Sequence, residues 1–285
     1  MAELTWDLER KLDRPVLVIA FAGLFDAATA ATGAIKHLTK RLGAAPIASI
    51  DPEAFFDFQQ TRPQVEIVDG GLRKVVWPEI VAYATQRSGN ERDLVLLSGI
   101  EPHYRWRTFT SLIIEIAERS GAEMIVTLGA SPAQVPHTRL PVVFSSSTNT
   151  ALAERLGLSR PQYQGVTGVL GVLQATLDHE GPPSIAMRVG VPHYAMGEHN
   201  PKATMALLRH LEHVTGVLTE HGGLVDDVAT WENRLDVAVA EDPEARIYVR
   251  QLEGHHDSQT EQQVVSGDDL AEEVERFLRE QRGDS

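Results

Sequence analysis

The 285-residue sequence contains no cysteine, which excludes disulfide bonds, cysteine nucleophiles, cysteine-ligated iron–sulfur clusters and thiolate zinc sites. It also lacks a long apolar segment: the longest apolar run, residues 15–25, is about half of what a membrane-spanning helix needs. Residues 3–14 carry mixed charges instead of the apolar core of a signal peptide. We therefore expect a cytoplasmic protein with no membrane association.

Basic residues are scarce, because 26 Lys and Arg stand against 40 Asp and Glu, for a formal net charge of −14. This sign opposes broad contact with phosphate backbones, so nucleic acid is not an expected partner. The acidic excess is concentrated at the C-terminal end, where residues 251–285 carry ten acidic and three basic side chains. The remaining composition, 42% hydrophobic and 23% charged, is ordinary for a soluble globular protein.

Four short apolar runs predict the strands of a buried parallel sheet. Each run is nearly continuous, as expected when helices cover both faces of a sheet. Helical spacing of apolar residues predicts helices between the strands, and strand–helix alternation is typical of an α/β fold. We expect a three-layer α/β/α sandwich around a mostly parallel sheet. The predicted strands are residues 16–22, 93–98, 123–128 and 184–191, and the predicted helices are residues 27–42, 108–119 and 201–218.

A hairpin is predicted between the first two of these strands. Residues 65–68 and 74–76 are separated by Asp69-Gly70-Gly71, whose residue types favour a tight reversal of the chain. We expect this hairpin to form an arm attached to the main sheet.

The C-terminal part of the sequence predicts a helical extension. Residues 225–250 are expected to form one or two helices broken near Asp242-Pro243, followed by a polar linker over residues 253–266. A last helix from Asp268 carries an apolar stripe that has to dock on the body, on a neighbouring subunit or on a partner. The predicted division is an α/β body over residues 1–252 and an acidic linker with its helix over residues 253–285.

Titratable side chains follow every one of the four predicted strands. Ligands of open α/β sheets bind beyond the carboxyl ends of the strands, so these side chains predict a ligand cleft. The sequence contains neither a Walker phosphate loop nor a dinucleotide fingerprint, and we expect no cofactor and no metal site. The candidate cleft residues are Asp26, Glu101, Arg105, His137, Arg139 and His193.

Each candidate also has a structural explanation. Asp26 directly precedes a predicted helix and can cap its N-terminus. Glu101 lies four residues before Arg105, so the two can form an ion pair. His137 and His193 follow prolines, and such histidines are more often packed and hydrogen-bonded than catalytic. The sequence leaves open whether Glu101, with Arg105 and His137, forms the polar centre of a ligand site or an ion-pair lock between loops.

The same loops carry a resemblance to a known family. The stretches LLSGIEPHYRWRTF (96–109), VTLGASPAQVPHTR (126–139) and VGVPHYAMGEHNPKATMALL (189–208), with others in order along almost the whole chain, carry it. The sequence resembles the PAC-two family, the family of the second proteasome assembly chaperone, in its actinobacterial branch. One departure is Leu24-Phe25, where family members more often carry a Trp-Gly-like pair. The resemblance implies a phosphorylase/hydrolase-like α/β/α fold and self-association, and we expect a homotrimer.

Two functions are compatible with the sequence. The resemblance implies a non-enzymatic chaperone or protein-interaction module, with its own copies and proteasome subunits as candidate partners. Relatives dock on the proteasome through a C-terminal hydrophobic–Tyr–X tail, which the final residues 281–285 do not contain. The alternative is an enzyme or sensor that binds a nucleoside-like or phosphorylated ligand in the strand-end cleft. Some relatives are labelled ATP-dependent carboxylate–amine ligases, but this sequence has neither a phosphate loop nor an obvious pair of Mg²⁺-binding carboxylates.

Overall fold

Strands and helices alternate along the chain in the computed structural model, which describes residues 3–7, 11–87 and 91–259. The strands are β1 (Leu4–Trp6), β2 (Val16–Ala22), β3 (Ala45–Ile50), β4 (Gln64–Val68), β5 (Leu72–Val76), β6 (Ile80–Thr85), β7 (Leu94–Ile100), β8 (Met124–Ala133), β9 (Val143–Ser146) and β10 (Ser184–Pro192). The helices are α1 (Ala30–Arg41), α2 (Trp106–Ser120), α3 (Thr150–Leu156), α4 (Val169–Leu177), α5 (Pro201–Thr215), α6 (Val225–Glu241) and α7 (243–259).

Eight strands form one mixed sheet in the order β1-β3-β6-β7-β2-β8-β10-β9. The central strands β7, β2, β8 and β10 are parallel to their neighbours within this group. All the outer pairings, including those of β6 with β7 and of β9 with β10, are antiparallel. The four strands predicted from the sequence are the parallel ones. The parallel arrangement is therefore confined to the centre of the sheet.

Each face of the sheet has its own apolar core. Val18 of β2 belongs to the core beneath α1 and α5, whereas the next residue, Ile19, belongs to the core beneath α2 and α4. Both side chains are fully buried, and burying an aliphatic side chain of this size stabilises a fold by about 1.5–3 kcal/mol. The predicted three-layer α/β/α sandwich is confirmed.

Capping residues set the ends of the main helices. The Asn200 side chain accepts a hydrogen bond from the amide of Ala203 at 2.9 Å, which fixes the start of α5 as predicted. Gly216 adopts a left-handed conformation with φ of +73° and ends α5 just before the predicted limit at residue 218. Gly121, with φ of +71°, ends α2 in the same way. The first predicted helix instead begins with a 3-10 turn, Ala27–Thr29, before α1.

Strands β4 and β5 form the predicted hairpin around the turn at residues 69–71. They pair only with each other among the described strands and make a separate two-stranded sheet. The expectation of an arm attached to the main sheet is therefore wrong as far as strand pairing is concerned. Every residue of β4 is exposed, including the apolar residues Val65 and Ile67.

Helices α6 and α7 form the C-terminal extension, and the predicted break lies at Asp242. Trp231 of α6 and Leu252 of α7 are buried, so both helices pack on the body. The polar linker predicted to start at residue 253 is wrong for residues 253–259, which continue α7. The remaining linker and the helix predicted from residue 268 lie outside the described residues.

Substitution of Phe109 tests the core beneath α2. The centre of its buried ring lies 5.5 Å from the centre of the Phe21 ring and 5.4 Å from that of the Phe55 ring. Phe109→Ala leaves a cavity and is expected to lower the free energy of unfolding by about 3–5 kcal/mol, measured by urea denaturation. Phe144→Ala is the matched control, because that ring is 66% exposed, and it should cost about 0.5 kcal/mol or less. Equal losses in both variants would contradict the assigned core.

Candidate functional site

The candidate cleft residues follow the carboxyl ends of the parallel strands, which lie at one edge of the sheet. Glu101 and Arg105 follow β7, and His137 follows β8. Strand β2 lies between β7 and β8, so Glu101 and His137 are separated by a strand at this edge of the sheet.

The Glu101 carboxylate binds backbone amides from two other segments. Its Oε1 atom accepts from the amide of Val169 at 2.6 Å, and its Oε2 atom accepts from the amide of Leu24 at 3.3 Å. Val169 is the first residue of α4, and the preceding Gly168 has no side chain to cap the helix. Glu101 thus supplies a charged cap from a distant loop. A Cβ atom at Gly23 would lie 2.6 Å from Oε2, so this glycine makes room for the carboxylate.

Arg105 does not meet Glu101, since its guanidinium forms an ion pair with Glu3 in the segment that carries β1. Among the contacts of the described residues, none joins Glu101, Arg105 and His137 to one another. The predicted three-residue polar centre is therefore wrong. The loop lock exists, but backbone amides form it instead of Arg105.

His137 is buried and links the loop after β8 to α6. The Tyr194 hydroxyl accepts from the His137 backbone amide and lies 2.8 Å from ring atom Nδ1. Because a carboxylate only accepts, ring atom Nε2 donates to Asp236 at 3.1 Å. In the tautomer with hydrogen on Nε2, Nδ1 accepts from the Tyr194 hydroxyl. Burial is the main cause that raises the pKa of Tyr194, to about 12. The His137 carbonyl accepts from Lys202 Nζ at 2.6 Å, so every polar group of this histidine has a partner.

Arg139 and His193 bind helix α7. Arg139 makes two 2.8 Å hydrogen bonds to the Asp257 carboxylate and approaches Glu253 at 3.4 Å. His193 Nε2 lies 3.3 Å from the Tyr248 hydroxyl. The cavity left beside His137 and Arg139 has a volume of about 10 Å³, roughly the space of one water molecule. Helix α7 therefore fills the strand end beyond β8 and β10.

Asp26 caps α1, as one of the two sequence interpretations expects. Its Oδ1 atom accepts from the amides of Ala31 at 2.9 Å and Thr32 at 3.0 Å. The cap reaches across the 3-10 turn, in which Ala28 (φ +48°) and Thr29 (φ +49°) are left-handed. L-residues pay a steric cost in this conformation, and the Asp26 hydrogen bonds help to hold it.

A larger cavity lies on the α4 face of the sheet and was not found from the sequence. It measures about 510 Å³ and is bounded by β10, α4 and the loop at residues 161–167. Arg188 of β10 lines it, together with hydroxyl, amide and aromatic side chains. The available signal was a single charged residue inside the otherwise apolar run SIAMRVGV. The cavity lining also includes Phe25, Ser131, Ser146, Thr148, Tyr163 and Asp178.

Comparison with known proteins places this chain in one family. A family model described as the PAC2 family matches residues 20–239. The chain belongs to the PAC2 family. No curated protein matches it.

Solved structures of PAC2 relatives resemble this chain over most of its length. A PAC2 family protein from Streptomyces avermitilis is 39% identical, with a TM-score of 0.77, over 82% of this chain and 99% of that one. A proteasome-assembly chaperone homologue from Mycobacterium tuberculosis is 38% identical, with a TM-score of 0.74, over the same shares. PbaB of Pyrococcus furiosus, an archaeal proteasome activator, is 16% identical with a TM-score of 0.65 over 82% of this chain and 97% of that one, and shares the fold.

Residues 3–7, 11–87 and 91–259 contain no group of three His, Asp or Glu side chains placed to hold a metal ion. No helix within these residues is both long and apolar enough to cross a membrane.

Glu101→Gln tests the lock between the loops. The amide loses the negative charge that strengthens the hydrogen bonds from Val169 and Leu24, so we expect the free energy of unfolding to fall by about 1–2 kcal/mol. Urea denaturation measures the change, and Glu118→Gln on the exposed side of α2 is the control. A Glu101→Gln variant as stable as the wild-type protein would favour a ligand-binding role for this carboxylate.

Asp257→Asn tests how α7 is fastened. The hydrogen bonds from Arg139 are the largest cause that lowers the pKa of Asp257 below its usual 3.8. The carboxylate therefore contributes its full stability above pH 3.8 and loses it as the pH falls through the lower folded-state pKa. Unfolding midpoints in urea should differ between wild-type and variant proteins at pH 7 and converge below that pKa. A difference that stays constant with decreasing pH would contradict this ion pair.

Proposed function

We propose that this protein is a cytoplasmic, non-enzymatic, chaperone-like module that binds other proteins, including further copies of itself and proteasome-related partners. Membership of the PAC2 family and similarity to a proteasome-assembly chaperone homologue support a chaperone-like role. The exposed apolar hairpin arm, β4 and β5, is the observation that carries the proposal.

The arm exposes apolar side chains on both of its faces. Val65 and Val75 are paired across the strands on one face, beside Ile67, and are 61%, 44% and 68% exposed. Val68 and Leu72 are paired on the other face and are also exposed. An isolated two-stranded hairpin is marginally stable in water, and exposed apolar patches commonly mark protein interfaces. The arm therefore gains stability when a partner covers it.

The charge distribution supports a second copy of the chain as the occupant of the arm. The whole chain carries a net charge of −14, so two copies repel each other over most surfaces. The arm has no net charge, because Glu66 and Asp69 are balanced by Arg73 and Lys74. Glu66 and Lys74 also lie directly opposite each other in the hairpin. Two copies can thus approach through the arm without placing like charges together.

The alternative function, a small-molecule enzyme or sensor, requires an open cleft at the strand ends. The candidate side chains there are engaged instead: Glu101 binds two backbone amides, His137 binds α6, and Arg139 binds α7. Only about 10 Å³ remains beside His137 and Arg139. A filled strand end with an exposed apolar arm supports an interaction module over catalysis in this cleft.

Ile67→Glu tests the role of the arm in self-association. Sedimentation velocity of the wild-type protein should give a mass well above the 31.3 kDa monomer, with a homotrimer as the expected assembly. A charge at Ile67 should shift the protein towards the monomer, because removing a carboxylate from water at the interface is costly even with Arg73 opposite it in the hairpin. Ile247→Glu on α7 is the matched control, since that side chain is similarly exposed at 60% and should leave the assembly intact. A wild-type monomer, or equal effects of both variants, would contradict the proposal.

The proteasome-related part is tested separately. Purified proteasome subunits from an actinobacterium such as Streptomyces avermitilis are mixed with the wild-type protein and analysed by native mass spectrometry. We expect a complex of defined stoichiometry. A wild-type oligomer that forms no such complex would contradict this part and leave the self-association result unaffected.

A further inference from the structure

Arg188 extends from β10 into the 510 Å³ cavity on the α4 face. Its guanidinium carbon lies 5.5 Å from the centre of the Phe25 ring. Atom Nη1 donates to the carbonyl of Met187 at 3.0 Å and approaches the carbonyl of Thr127 at 3.3 Å. The ring and the two carbonyls therefore hold the guanidinium in a fixed orientation.

No carboxylate in the described part of the chain neutralises this guanidinium. Among the described residues none forms an ion pair with Arg188, and none accepts a hydrogen bond from its Nε or Nη2 atoms. Among the described residues of the lining Asp178 is the one acid, but it is exposed and accepts from the Thr148 hydroxyl at 2.7 Å. Burial lowers the pKa of Arg188 to about 10, so the side chain stays charged at neutral pH. A positive charge removed from water without a counter-ion is costly to a fold.

The neighbouring strand makes room for this costly side chain. Gly129 of β8 lies directly opposite Arg188 in the sheet. A Cβ atom at Gly129 would lie 2.7 Å from Cδ of Arg188, so any other residue there would displace the arginine. The sheet therefore combines a glycine and an unpaired arginine at the wall of a cavity.

We propose that this cavity binds a small organic oxyanion, a carboxylate or a phosphate monoester, through Nε and Nη2 of Arg188. An oxyanion accepts two parallel hydrogen bonds from one guanidinium. The hydroxyls of Ser131 and Ser146 line the same cavity and can donate further hydrogen bonds. The ring of Tyr163, also in the lining, offers a surface for an apolar ligand body. The volume is in the range of small-molecule sites, and the site is independent of self-association through the arm.

Binding is tested with three probes of similar size that differ in charge: benzoate, phenyl phosphate and neutral benzyl alcohol. Isothermal titration calorimetry and thermal unfolding are measured on the full-length protein. We expect at least one of the two anions to bind and to raise the unfolding midpoint by mass action, whereas benzyl alcohol does neither. The better of benzoate and phenyl phosphate identifies the oxyanion class.

Arg188→Met is the decisive variant. It should abolish anion binding while leaving the ligand-free protein as stable as the wild-type protein or more stable, because an apolar side chain replaces an unpaired cation. Arg209→Met is the matched control: Arg209 is exposed beside a different cavity on α5, and its loss removes the same charge. Anion binding should survive in this control.

Arg188→Lys covers the case in which the methionine variant does not fold. Lysine keeps the charge but lacks the two-donor fork, so anion affinity should fall by about tenfold or more. The proposal is overturned if neither anion binds the wild-type protein, if benzyl alcohol binds equally well, or if affinity is unchanged in the folded methionine or lysine variant.

Discussion

Burial of the central strands on both faces is the constraint on which the rest of this structure depends. Adjacent residues of β2, such as Val18 and Ile19, contribute to different cores, so neither face can present a polar binding surface there. Charged side chains are displaced to the loops at the strand ends, to the sheet margins and to the arm. The positions of the strand-end candidates and of the arm follow from this arrangement, whereas Arg188 is an exception, since it is a charged side chain within the central strand β10.

The loops at the strand ends then need to be held in place. Each is fixed by a charged or polar group that binds a neighbouring element: Glu101 binds the start of α4, His137 binds α6 and Arg139 binds α7. A set of acids, histidines and arginines at one sheet edge is the usual pattern of an active site. Here the same pattern holds loops and helices together, so composition at a sheet edge does not by itself identify catalysis.

The sequence predicted the centre of the fold well because its signals are local. The continuous apolar run of β2 and the cap at Asn200 each depend on neighbouring residues only. The antiparallel strands β3 and β6 were missed, and β3 pairs with β6 across about 30–40 residues of intervening chain, which a local pattern does not reveal. The prediction of the site failed for a related reason. The loops of Glu101 and His137 were predicted correctly, but their contacts depend on the position of β2 between β7 and β8, which no local pattern encodes.

Comparison of Glu101 with Arg188 explains why the two charges have different consequences. Both are partly buried, and each has a glycine beside it, Gly23 or Gly129, where a Cβ atom would collide with the charged side chain. Glu101 receives amide hydrogen bonds from two segments, so its charge is compensated within the chain. Nη1 of Arg188 has two carbonyls and the Thr127 hydroxyl as acceptors, and the guanidinium lies over an aromatic ring, but its Nε and Nη2 atoms have no acceptor among the described residues. A compensated charge stabilises the fold, whereas an uncompensated one costs stability that a bound oxyanion would restore.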